Sequence, residues 1–95
     1  MNVYFLLYLE DTRTGSVSRV EWFLQELAAQ EALKAAYAKT LHRLHFDTGI
    51  CNENHYCGCN DFTAIIADGE DNYSWSIGTW RLPADISSLA MQQFE

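Results

Sequence analysis

The amino-acid sequence predicts an α+β fold: a four-stranded antiparallel sheet in the chain order ββαββ, with one main helix packed on one face and a short C-terminal helix. Three observations carry this expectation. Residues 3–9 (VYFLLYL) form a run of aromatic and branched side chains suited to a strand. Residues 28–45 are dense in Ala, Leu, Gln, Glu and Lys, which lose little rotamer freedom in a helix. Residues 62–67 (FTAIIA) and 73–80 (YSWSIGTW) are again rich in β-branched and aromatic types, with Asp68-Gly69-Glu70-Asp71-Asn72 between them as a turn.

Each element has a local justification. The first strand runs into Glu10-Asp11-Thr12-Arg13-Thr14-Gly15, where Asp and Gly suit a turn. Residues 16–24 then alternate Val20, Trp22 and Leu24 with Arg19 and Glu21, which makes a hairpin with the first strand. A competing reading starts a helix at Ser18, because Ser18 and Glu21 have capping-box spacing. On one straight helix, however, Val20, Leu24 and Leu27 would lie roughly 100° from the stripe formed by Leu33, Tyr37, Leu41 and Leu44. A strand followed by a helix beginning near Ala28 removes the conflict. Glu26 and Glu31 near the start of that helix, and Lys39, His42, Arg43 and His45 near its end, complement its dipole. Residues 46–61, with all three cysteines, read as a loop. Pro83 and Asp85 open a short terminal helix, with Ile86, Leu89 and Ala90 on one side.

Ninety-five residues make a single domain, 1–95, with room for one core. The thirteen Asp+Glu outnumber six Lys+Arg, giving a formal charge of −7. Through Arg43 the charges cancel: Arg13, Arg19, Lys34, Lys39 and Arg43 against Glu10, Asp11, Glu21, Glu26 and Glu31. The excess lies in the second half, where Asp47, Glu53, Asp61, Asp68, Glu70, Asp71, Asp85 and Glu95 face Arg81 alone. Such a chain lacks the cations that supply affinity for a phosphate backbone, so direct nucleic-acid binding is not expected. Trp22, Trp75 and Trp80 read as core or interface anchors rather than base-stacking platforms. The apolar run at 3–9 is too short to span a bilayer and lacks the flanks of a signal peptide, so no membrane association is expected and the reading is cytoplasmic.

One helix covers one face of a sheet, yet the first strand is apolar on both. Val3, Phe5, Leu7 and Leu9 line one face, and Tyr4, Leu6 and Tyr8 the other; Trp80 lies opposite Tyr73, Trp75 and Ile77. The second face needs a cover, whether the terminal helix, a second copy in a homodimer, or another protein. Tyr4, Tyr8 and Trp80 are candidate contacts for such a partner.

The Cys51-x5-Cys57-x-Cys59 loop, with His55 inside it, has the ligand types for a structural zinc site. It lacks a C-x2-C pair, and free thiols or a disulfide from Cys51 to Cys57 or Cys59 fit the same letters. A nucleophilic Cys partnered by His55 would need an orienting third group that the sequence does not supply. Phe46-Asp47-Thr48-Gly49 resembles the local signature of aspartic proteases, but a helix precedes it and a polar Cys-rich loop follows. A helix C-terminus followed by Gly49 accounts for these letters. Asp68, Glu70 and Asp71 form an acidic turn without the ligand pattern of a calcium loop.

In size, acidity and α+β composition the chain is similar to small acidic phage-encoded inhibitors of host defence, the anti-CRISPR type. That resemblance is one of profile, and it implies a non-enzymatic protein-binding module that blocks a partner surface. The implied partner is a basic nucleic-acid-binding protein or complex, with Asp61, Asp68, Glu70 and Asp71 competing for its Lys and Arg. The alternative expectation is a small zinc-stabilised domain held by Cys51, Cys57, Cys59 and His55.

Overall fold

The computed structural model describes residues 1–82. The elements are β1 (Asn2–Thr12), β2 (Gly15–Phe23), α1 (Glu26–Arg43), β3 (His55–Cys59), β4 (Thr63–Asp68) and β5 (Asp71–Arg81). They form one antiparallel sheet of five strands in the order β2-β1-β5-β4-β3, with α1 across one face. The α+β class and the main helix packed on one face agree with the expectation; among the described residues the sheet has five strands rather than four. The additional strand, β3, arises inside the Cys loop. Its sequence HYCGC has little intrinsic strand signal, and pairing with β4 from His55↔Asp68 to Cys59↔Ala64 supplies what propensity does not. The expected helix from Pro83 lies outside the described residues.

The central pairing, β1 with β5, joins the two ends of the described chain. Its register runs from Asn2↔Arg81 to Asp11↔Asn72, and the Met1 ammonium donates to the Leu82 carbonyl at 2.8 Å. The β1–β2 and β4–β5 hairpins each close through two residues, and β3–β4 through residues 60–63. Gly69 sits at φ 67 as the first residue of the β4–β5 turn, while Glu70 has negative φ, the pattern of a type II′ turn.

Register assigns the faces. Leu6 and Tyr8 share one side of the sheet with Phe23, Ala64, Ile66, Tyr73, Trp75 and Ile77, and α1 covers it with Ala29, Leu33, Tyr37 and Leu41. Leu6, Leu33 and Ile66 are the largest fully buried side chains. Alanines at 29, 32 and 36 let the helix approach the sheet closely. The buried Thr40 hydroxyl donates to the Ala36 carbonyl at 2.8 Å, so its polar atom costs little in the core. Leu24 and Leu27, members of the second stripe that a longer helix would have presented, are 74% and 63% exposed. Ser18 lies within β2 and caps nothing.

α1 starts two residues earlier than Ala28 and ends at Arg43 rather than His45. Its end is a Schellman motif: the Phe46 N–H bonds to the Leu41 carbonyl at 3.1 Å and the His45 N–H to that of His42 at 3.1 Å. His45 takes the left-handed conformation (φ 51) that this motif requires. The terminator is therefore His45, not Gly49. A Cβ disfavours that conformation by about 1–2 kcal/mol, part of which Gly would return as chain entropy. His45→Gly is expected to raise stability by about 0.5–1 kcal/mol, seen as a higher midpoint in urea unfolding; a lower midpoint would show that the imidazole contributes more than its backbone strain removes.

Candidate functional site

Among the described residues, the face away from α1 carries a group of exposed apolar side chains. Pairings Phe5↔Trp22, Leu7↔Val20 and Val3↔Trp80 place these side chains on one side of the sheet. Trp22 and Trp80 are each 58% exposed, although both are large aromatics. The Phe5 and Trp22 rings lie 5.5 Å apart at 57°. On β5 the same side bears Ser74, Ser76 and Gly78, small residues that lower the centre of the face. Beyond them stand Ile65 of β4 and Tyr56 of β3. The Phe5 ring lies directly over Gly78, in space that any side chain there would claim.

The candidate partner residues divide between the faces. Trp80 belongs to the open one. Tyr4 and Tyr8 are on the α1 side, because Tyr4 pairs with Phe23 and Tyr8 with Arg19 while Trp80 pairs with Val3. Tyr8 lies under the Arg19 guanidinium, 4.1 Å from ring centre to Cζ, and donates to Glu21 Oε2 at 3.3 Å. The three therefore do not form one contact patch. Phe5, Val20 and Trp22, absent from the expected site, take the place of the two tyrosines. The alternation in β1 and β2 held the signal for them, but the side bearing Val20 and Trp22 turns away from α1. The helix lies over β1, β5 and β4, beyond reach of most of β2.

The acidic candidates are also dispersed. Asp61 precedes β4, and Asp68, Glu70 and Asp71 lie at its far end, separated by roughly 17 Å of strand. Lys34 Nζ contacts Asp61 Oδ1 at 2.8 Å, and this hydrogen bond raises the lysine pKa. Asp71 accepts from the Arg13 backbone N–H at 3.0 Å and lies 3.7 Å from its Nε. Asp68 is 3.5 Å from His55 Nδ1. Glu70 stands exposed in the turn. Internal pairing of Asp61 and Asp71 with cations reduces the field they present to a partner.

His55, Cys57 and Cys59 alternate along β3, so their side chains point to the α1 side of the sheet. They do not converge: among the described residues, no group of three or more His, Cys, Asp or Glu is placed to hold a metal ion. His55 is engaged at both nitrogens. Its Nε2 lies 2.8 Å from the Asp47 carbonyl, which only accepts, so Nε2 carries the proton, while Nδ1 faces Asp68. Its ring stacks on Phe46 at 3.9 Å and 5°. Cys57 packs against the core, Cys51 is exposed in the preceding loop, and all three thiols are free, so the disulfide alternative is not formed. Burial raises the Cys59 thiol pKa, and Asp61 adds to the rise against the lowering effect of Lys34. The protease-like tripeptide forms a local turn in which Asp47 Oδ1 accepts the Gly49 N–H at 2.9 Å.

Folding gathers charge that the sequence scatters. A cleft of about 350 Å³ between α1 and the β1–β2 hairpin is lined by Arg19, Lys39, Arg43 and Glu10 over Tyr8 and Trp75. An adjoining cleft shares Glu10 and Arg43 and adds Arg13 and Asp71. Arg43 Nη2 lies 3.6 Å from Glu10 Oε1.

Three tyrosines around the core titrate late. Burial raises the pKa of Tyr37, with neighbouring Cys57 adding to it; burial followed by Glu21 raises Tyr8; burial followed by Asp71 raises Tyr73. The folded state therefore holds these protons to higher pH than the unfolded chain, whose phenols ionise near 10.0. Their contribution is complete below that pH and is lost as pH rises through the folded values. Thermal melts taken with tyrosinate absorbance should show the midpoint falling above about pH 10, ionisation and unfolding moving together. A flat midpoint there would contradict these environments.

Comparison of the chain with protein-family models, curated proteins and solved structures finds no match. Among the described residues no helix is long and apolar enough to cross a membrane. Among the described residues, fold and site together define a class: a small α+β domain with one sheet face covered by a helix and the other left open.

Proposed function

We propose that this chain is a non-enzymatic protein-binding module that acts by occupying a partner surface, docking through the open face of its sheet. The observation that carries the reading is the exposed Trp22, packed on half-buried Phe5, with exposed Val20 and Trp80 on the same face. Rigid aromatics on a strand scaffold are the side chains that dominate protein interfaces, because they bury much area at small entropic cost. The −7 charge favours a partner whose apolar patch is rimmed by cations, through the encounter rate more than through affinity. In its particular form the module is an inhibitor of the anti-CRISPR type, covering the basic nucleic-acid-binding site of a defence complex. The apolar face supplies the affinity in this reading, and Asp61, Asp68, Glu70 and Asp71 have an electrostatic role, lessened at Asp61 and Asp71 by their internal partners.

Site-directed photocrosslinking in the native host tests it. With a photoreactive side chain at Val20 or Leu9, the expected result is a discrete adduct with a second protein. The same probe at Glu31, on the exposed side of α1, should give none. Equal labelling from both positions, or no heterologous adduct from the sheet, overturns the reading.

A further inference from the structure

We propose that two copies of the chain pair through the free edge of β2, joining their sheets, with the two-fold axis beside Val20. The inference does not rest on the docking function above. Among the described strands the sheet has two edges, β2 and β3. β3 has five residues, includes Gly58 and offers a short template. β2 has nine residues, and its register with β1 is unbroken from Tyr4↔Phe23 to Thr12↔Gly15. It contains neither proline, lysine nor a bulge, the usual devices that keep an edge from pairing, so its outward backbone groups form a regular ladder.

The side chains of β2 select a second copy as the occupant of that edge. A two-fold axis perpendicular to the sheet keeps each residue on its own face, so antiparallel self-pairing must centre on a residue. Arg19 and Glu21 are the charged residues of β2. Centring on Arg19 sets two guanidinium groups against each other, and centring on Glu21 sets two carboxylates together. Centring on Val20 places Arg19 opposite Glu21 of the second copy, twice by symmetry, with Val20 against Val20 and Trp22 against Ser18. Tyr8 already holds both charged groups in position, beneath Arg19 at 4.1 Å and bonded to Glu21 at 3.3 Å. The paired sheet keeps both helices on one side, and its open apolar faces become continuous across the axis.

Sedimentation of the full chain over a wide concentration range tests the pairing. The expected mass rises from 10.9 kDa towards twice that value. R19E and E21R should each weaken the dimer on the order of tenfold, because like charges then face each other at both symmetric positions. The double variant R19E/E21R should restore it, and circular dichroism of each variant verifies the fold. Amide exchange in β2 should slow as the wild-type chain is concentrated. A monomer at every concentration, a dimer indifferent to R19E, or a double variant no tighter than the single ones overturns the proposal.

Discussion

Truncating Leu6 to Ala is expected to lower the unfolding free energy by about 2–5 kcal/mol, whereas the same change at adjacent Leu7 should cost about 1 kcal/mol. Leu6 is fully buried in the cluster with Leu33, Ile66, Tyr73 and Trp75. Its removal leaves a cavity whose walls belong to three strands and the helix, which cannot collapse together. Leu7 points to the open face and is only partly covered, so shortening it leaves little void. For a domain of this size the Leu6 loss is a large part of the total, about 5–15 kcal/mol. Urea unfolding followed by circular dichroism measures both. Equal costs at the two positions would reverse or abolish the assignment of faces.

Trp22→Ala should reduce capture of the crosslinked partner by at least about 30-fold, the effect of losing an anchor worth about 2 kcal/mol, with no comparable loss of stability. Trp22 is 58% exposed, so the folded chain alone draws little from its burial. Gly78→Ala approaches the same face from below. A Cβ there occupies the space of the Phe5 ring, which must swing aside and leave its 5.5 Å contact with Trp22. Partner affinity should fall by up to about tenfold, the scale of one aromatic pair, with far-UV dichroism unchanged. Binding that survives both substitutions would remove the open face as the docking surface.

Most of the framework was legible because it rests on local chemistry. The apolar run at β1, the helix formers of α1 and the aromatic alternation of β5 each state their period within the element itself. The division of β1 into a Leu6 side and a Phe5 side also follows from alternation alone. The end of the helix was not legible. A histidine at a left-handed position carries no sequence signal as strong as a glycine, so the sequence points to Gly49 where the fold uses His45. β3 was hidden for a related reason: its strand character comes from β4 beside it.

The candidate site divides in the same way. That one sheet face would be left apolar followed from a single helix set against a strand with two apolar sides. Which side α1 covers was decided by tertiary packing. Leu6, Ile66 and Trp75 complement Leu33 and Tyr37, whereas the Trp22 side has no second helix among the described residues. The sequence by itself therefore determined the kinds of elements and the two-sidedness of β1, since these depend on spacing along one strand or one helix. Strand order, the pairing of Asp61 and Asp71 with distant cations, and the failure of His55, Cys57 and Cys59 to converge belong to the tertiary structure. They depend on distances between residues far apart in the chain, which folding sets through the burial of one shared core.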